Sequence, residues 1–278
     1  MTAFALWRAP RAVSALGWAA FAVAIATALG GCKTTTTVVE KPETAATTGA
    51  GSEADPHRRA KVRLELAAGY YQKGQLDVAL NEATEAVRLD PDLASAYSML
   101  GLIQMDLQQN RQAEDNFKHA LQLAPNDPES NNDFGWFLCR TRREREAVTY
   151  FDRAASNRLY STPAMALENA GICLRQIGED QRAEEYLKRA LEADVTSPVA
   201  KYQLARLYLD THRADRAQFY YDLLTQTAEP SAQTLWLGAR IAHARSDSQT
   251  ERRLSDELRG RFPNAPETAL LNRGAFHE

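Results

Sequence analysis

Cysteine and histidine are scarce in this chain of 278 residues: three Cys, at 32, 139 and 173, and five His, at 57, 119, 212, 243 and 277. The His fall in separate stretches and no Cys or His pair has metal-ligand spacing, so no metal centre is expected. The chain has no glycine-rich phosphate loop, no G-x-S-x-G and no H-E-x-x-H, and thus no constellation for nucleophilic or metal-assisted catalysis. It is expected to be no enzyme, to need no cofactor and to take no small-molecule substrate. Nor is there a block of one charge. Lys and Arg (33) are interspersed with Asp and Glu (36), for a net charge of −3, so nothing forms a phosphate-backbone footprint and no nucleic-acid partner is expected.

What is present begins with an export signal. Arg8 and Arg11 stand in an N-terminal stretch without acids, and residues 12–30 are apolar apart from Ser14 and Thr27. By length that run also suits an uncleaved membrane anchor. It ends in "LGGC" (29–32), which resembles the lipobox of bacterial lipoproteins. That resemblance implies removal of residues 1–31 and a covalent lipid on Cys32, with Lys33 in place of the Asp that retains such proteins at the inner membrane. The implied address is the periplasmic face of the outer membrane. Cleavage lowers Lys plus Arg from 33 to 31 against 36 acids, for a mature charge of −5.

After the lipidated Cys, the segment 32–56 is rich in Thr, Ala, Gly and Glu without apolar periodicity. It reads as a disordered tether with a reach of roughly 25 to 30 Å. From 57 to 278 the chain reads as helices with an internal repeat. Residues 64–91 superpose on 97–125 at a shift of 34, with Ala79 on Ala113, Ala83 on Phe117, Ala86 on Ala120 and Pro91 on Pro125. The pattern resembles the tetratricopeptide repeat (TPR), a helix-turn-helix unit of that period. A large apolar residue followed by Ala or Gly (Leu66-Ala67, Leu100-Gly101, Phe134-Gly135) lets two helices of a unit approach closely, and Pro opens the next unit. Units follow from near Pro128, Ala164 and Pro198. The step of 36 before the fourth puts two extra residues in "NRLYSTP" (157–163). A sixth unit from Ala232 has Glu251 where a second-helix Ala belongs and reads as a degenerate cap. The fold class is therefore all-α, a TPR α-solenoid of about six units whose first helices line a concave groove.

In TPR proteins, positions 2, 5, 9, 12 and 13 of the first helix face the groove. Here that frame selects Tyr71, Leu102, Met105, Asn132, Trp136, Cys139, Ile172, Arg175, Tyr202, Arg206, Leu209, Trp236, Arg240 and His243. The stretch "NNDFGWFLCR" (131–140) thus sends Phe134, Gly135 and Leu138 to the core and Asn132, Trp136, Cys139 and Arg140 to the groove. Two roles stay open for Trp136 and Trp236: anchoring a partner, or filling seams between repeats. Asn132 is a candidate to hold a peptide backbone through its amide, or a solvated residue. Cys139 and Cys173, at positions 12 and 10 of consecutive first helices, read as two unpaired thiols because their offset argues against a Cα separation suited to a bridge. "RTRRERE" (140–146) reads as a solvated turn, with contact to an acidic partner as the alternative.

Four segments outside the TPR consensus carry a further resemblance: "NNDFGWFLC" (131–139), "FDRAASNRLYSTPAMALENAGICL" (151–174), "ARLYLDTHRADRAQFYYDLL" (205–224) and "TLWLGARIAHARSDSQTERRLSDELRGRFPNAPE" (234–267). Together they look like the type IV pilus biogenesis and stability lipoproteins, the pilotin family of PilF and PilW. The resemblance implies an outer-membrane lipoprotein that binds the secretin subunit PilQ, escorts it to the outer membrane and promotes its multimerisation. A TPR lipoprotein scaffold for cell-wall enzymes or outer-membrane protein assembly is the alternative. A third possibility is an inner-membrane TPR protein that retains residues 12–30.

Overall fold

The computed structural model describes residues 55–227 and 229–276; the leader, Cys32 and nearly all of the tether lie outside them. The described residues form thirteen α-helices and no strand. They run as six pairs: α1 (Pro56–Gln72) with α2 (Leu76–Leu89), α3 (Ala94–Asp106) with α4 (Asn110–Leu123), α5 (Pro128–Arg140) with α6 (Glu144–Ser156), α7 (Pro163–Gln176) with α8 (Asp180–Ala193), α9 (Pro198–Asp210) with α10 (Ala214–Thr225), and α11 (Ala232–Ala244) with α12 (Ser248–Arg261), closed by α13 (Pro266–Asn272).

Local chemistry sets these boundaries. Pro stands in the first turn of α1, α5, α7, α9 and α13, where its missing N–H is no loss. Asp127, Ser197 and Asp247 cap α5, α9 and α12 through their side chains, and Ser231 with Thr234 forms a capping box on α11. The turn inside every pair holds one residue at positive φ: Gly74, Gln108, Arg142, Gly178, His212 and Ser246. Those numbers step by 34, 34, 36, 34 and 34, so a left-handed residue is the backbone signature of the unit even where no glycine stands. The step of 36 is absorbed between α6 and α7, where the longer turn folds Tyr160 into the core at 7 % exposure.

Packing explains the small residues. A Cβ on Gly101 would lie 2.8 Å from the Phe117 ring, on Gly135 2.8 Å from Phe151, and on Gly171 2.6 Å from Leu187. In each case the large side chain of the second helix fills the space that the glycine vacates on the first. Phe134, Gly135 and Leu138 lie in the core as expected. The Phe117, Phe134 and Phe137 rings meet at centroid distances of 5.5 to 6.0 Å. The sixth pair forms in full. Glu251 sits at its surface with its carboxylate 3.1 Å from His243 Nδ1, and α13 closes the end by setting Leu271 against Leu235, Trp236, Leu254 and Leu258.

One expectation is overturned here. Cys139 and Cys173 are not free thiols but a disulfide between α5 and α7, with Cα atoms 5.8 Å apart. The two-position offset is what brings them together. Two residues turn a helix by about 200°, so positions 12 and 10 lie on opposite sides of the unit's first helix. In a row of neighbouring first helices, one side of α5 faces the opposite side of α7.

Buried polar groups tie successive units. Ser98 donates to or accepts from Ser130 at 2.8 Å, and Asn169 Nδ2 donates to Asn132 Oδ1 at 2.9 Å. Burial pushes the Glu184 carboxyl up, but Lys188, the Tyr208 hydroxyl and Arg213 all donate to it and together hold it down to about 2. Glu168 goes the other way. Its carboxyl on α7 accepts from the Ser197 hydroxyl that caps α9, and burial, with a push from Asp194, raises it from 4.5 to about 7 against that hydrogen bond. A raised folded pKa means that Glu168 contributes stability fully below about pH 4.5 and loses it as pH climbs through 7. The shift bounds the loss at about 3 kcal/mol. Glu168→Gln keeps an acceptor for Ser197 and removes the titration. The unfolding free energy of the parent, followed by urea titration, is expected to fall relative to this variant across that window; parallel pH profiles would exclude Glu168 as the source.

Candidate functional site: a polar ladder across the first helices

Each first helix packs its backbone against the next, α1 to α3, α3 to α5, α5 to α7, α7 to α9 and α9 to α11, whereas among the described residues the backbones of second helices stand apart and reach one another through long side chains, as where Tyr186 of α8 donates to Asp152 of α6 at 2.8 Å. A row of touching helices beside a row of separated ones is the short side of an arc, so the first helices line the concave face.

Two aspartates organise that face, each the last residue of its helix. Asp106 ends α3 and Asp210 ends α9. Asp106 accepts from the Tyr71 hydroxyl at 2.6 Å and from Arg140 Nη1 at 2.7 Å, so the units on both sides hold it. Asp210 repeats the arrangement with α7 and α11: Arg175 Nη2 donates at 2.6 Å and Arg240 Nη2 at 3.3 Å. On α9 itself, Arg206 Nε lies 3.7 Å from the same carboxylate. Three guanidiniums from three successive first helices therefore share one carboxylate.

Their surroundings differ. The Arg175 and Arg240 side chains are 14 % and 12 % exposed, against 41 % for Arg206. Arg175 Nη1 also donates to Gln203 Oε1 at 3.1 Å, while its buried Nε donates to nothing among the described residues. Burial, and then the charge of Arg206, push the Arg175 guanidinium below its ordinary value. Tyr202 is largely buried beside them, and that burial raises its phenol. Arg240 Nε donates to the Phe276 carbonyl at 2.9 Å, and the Phe276 ring stacks on His243 at 4.2 Å and meets Trp236 at 5.2 Å.

Helical arithmetic thus brings four sequence candidates, Arg175, Tyr202, Arg206 and Arg240, to one place. The others fare differently. Tyr71 joins the ladder at Asp106, and Trp136 and Ile172 are half-buried, Trp136 against the central core. Trp236 is 6 % exposed beneath Phe276, the seam-filling arrangement, because the segment after α13 folds back over α11. Asn132 is 6 % exposed and its carbonyl is taken by Asn169, so it is neither solvated nor open to a peptide. Leu102, Met105 and Leu209 are also buried, against the expectation for groove positions, because neighbouring first helices approach closely enough to cover them. The sequence reading missed Asp106, Asp210 and Phe276. The two Asp carry a legible signal, since both fall at position 13 of their units, a groove position; Phe276 lies beyond the repeats and carries none. Among the described residues no group of His, Cys, Asp and Glu is placed to hold a metal ion.

The chain is similar to known proteins over most of its length. TPR models match residues 69–108, 94–127 and 178–235. The type IV pilus assembly protein PilF of Pseudomonas aeruginosa is 26% identical over 204 residues, which is 73% of this chain and 81% of that protein. The solved structure of PilW, a widely conserved type IV pilus biogenesis factor, is 31% identical with a TM-score of 0.71 over 76% of this chain and 97% of that one. The solved structure of Pseudomonas aeruginosa PilF, at 24% identity, matches in fold with a TM-score of 0.68 over 79% of this chain and 99% of that one.

Proposed function

The chain belongs to the type IV pilus biogenesis family of PilW and PilF, and on that premise we propose that it is the outer-membrane pilotin of its pilus system, binding the secretin subunit PilQ and promoting its localisation and multimerisation. The observation that carries this reading is the likeness to PilW across 97% of that chain. TPR matches over residues 69–127 and 178–235 support a role in holding protein partners. No cofactor enters the proposal, only the covalent lipid on Cys32.

The labour divides along the chain. The lipid supplies the address, since more than one acyl chain anchors stably. The tether holds the solenoid clear of the bilayer, and the solenoid supplies the grip. A disulfide across α5 and α7 suits an oxidising periplasm.

Cys32→Ala is expected to leave the helical domain folded and to misplace both the protein and its client. Outer-membrane fractions are blotted for the secretin multimer, before and after heat dissociation, in the parent, the deletion strain and the variant. Loss or inner-membrane retention of the multimer supports the pilotin reading. A ring of normal amount and place in the deletion strain would discard the secretin as client and point to a general envelope scaffold.

A further inference from the structure

We infer that the concave face of the fourth to sixth units is a carboxylate-binding site for an acidic peptide segment of a partner, with Arg206 as its open contact and Arg175 and Arg240 as its fixed walls. This deepens the pilotin reading, on which it rests only for the partner's identity.

The charge count points first to an anion. Arg175, Arg206 and Arg240 meet one acceptor, Asp210, which leaves two positive charges uncompensated by ion pairing. The next acids outward, Asp180 and Glu267, act on this neighbourhood only at a distance and form no ion pair with any of the three. The donors are also unevenly used. Arg175 and Arg240 are held between helices by bonds to Asp210, Gln203 and the Phe276 carbonyl, so their positions are already fixed. The Arg175 Nε is buried without an acceptor. Arg206 makes one ion pair among the described residues, at 3.7 Å, and is the most exposed of the three. A carboxylate arriving at Arg206 finds a guanidinium whose planar fork is unspent, beside two cations that need no reorganisation.

The second observation concerns peptide chemistry. Non-helical main chain already lies on this face: the Phe276 carbonyl accepts from Arg240, and the Phe276 ring fills the space over Trp236 and His243. The face therefore takes a backbone carbonyl and an aromatic side chain together, which is how a peptide is gripped. An anionic bilayer is the other source of negative charge. It fits less well, since two of the three guanidiniums are sunk between helices on the inner side of an arc, where a flat surface does not reach.

The test uses the purified mature chain and a fluorescein-labelled peptide of alternating Asp and Glu around one Phe, against its Asn and Gln counterpart, followed by anisotropy. The acidic peptide is expected to bind and the neutral one to bind at least about tenfold more weakly, with affinity falling as salt rises. Arg206→Glu is expected to weaken the acidic peptide by about tenfold or more, and Arg206→Gln by less. Arg206 is exposed and holds no helix in place, so circular dichroism of both variants is expected to match the parent. Equal binding of the two peptides, or an unchanged affinity in Arg206→Glu, overturns the inference. So does loss of sedimentation with phosphatidylglycerol vesicles in that variant without any peptide effect, which would assign the cluster to a membrane surface. None of these measurements contains the secretin, so their failure leaves the pilotin reading standing. A normal peptide result beside a normally placed secretin in the deletion strain would sink that reading and keep the site.

Discussion

Replacing Gly135 by leucine is expected to remove about 3 kcal/mol from the stability of the helical domain, a fall in melting temperature of roughly 6 to 12 °C for a domain of this size. A single Cβ at this position stands 2.8 Å from Phe151 Cε1 and 2.9 Å from Cδ1, closer than carbon atoms pack. Phe151 has no room to yield, being fully buried at the centre of the array. Its neighbour Phe134, also buried, is fixed by Phe117 and Phe137 on one side and by the Tyr150 ring, 4.8 Å away, on the other. Leucine adds three further carbons, so α5 and α6 must part, and their separation spreads to the next units because each helix pair is covered only by its neighbours. Gly135→Ala is the milder control, since the gain in helix propensity offsets part of the clash. Thermal melts followed by circular dichroism decide it. A leucine variant melting within a degree or two of the parent would mean that the two helices are not in the contact described.

The second large effect concerns the Cys139–Cys173 bridge, which closes a loop with a sequence separation of 34. In the chain-entropy account a loop of that length is worth about 4 kcal/mol, by restricting the unfolded chain. Joint replacement, Cys139→Ala with Cys173→Ala, is therefore expected to lower the melting temperature by roughly 10 °C while leaving the helical spectrum intact. Dithiothreitol added to the parent is expected to reproduce most of that loss, and the double variant is expected not to respond to it. Because the bridge links the third and fourth units across the longer turn, protection of α5 and α7 amides from hydrogen exchange is expected to fall first. A parent that melts identically with and without reductant would show that the thiols are unpaired in solution.

Much of this architecture was legible in the residues. The 34-residue shift, the apolar-then-small pairs and the step of 36 are local or periodic facts, and each helix pair obeys them because a repeat unit packs only on its neighbours. The groove frame also succeeded where a side chain is long. Arg175, Arg206 and Arg240 met because three register-equivalent regions of adjacent helices face one way. It failed for apolar side chains and for the short amide of Asn132. Leu102, Met105 and Asn132 hold groove positions in the frame yet are covered, because how closely neighbouring first helices approach is decided by volumes on both of them.

What the sequence by itself determined, then, is the repeat, its all-helical class and the residues that pack inside each unit, since these depend on spacings within one stretch of chain. Only the tertiary structure decided what happens between stretches: that Cys139 meets Cys173, that Asp210 gathers three arginines, and that Phe276 returns to cover Trp236. The physical reason is the same in each case. Position along one helix states which way a side chain leaves its axis, whereas the side that meets it belongs to another helix, whose rotation and distance are set by all the contacts of the array together.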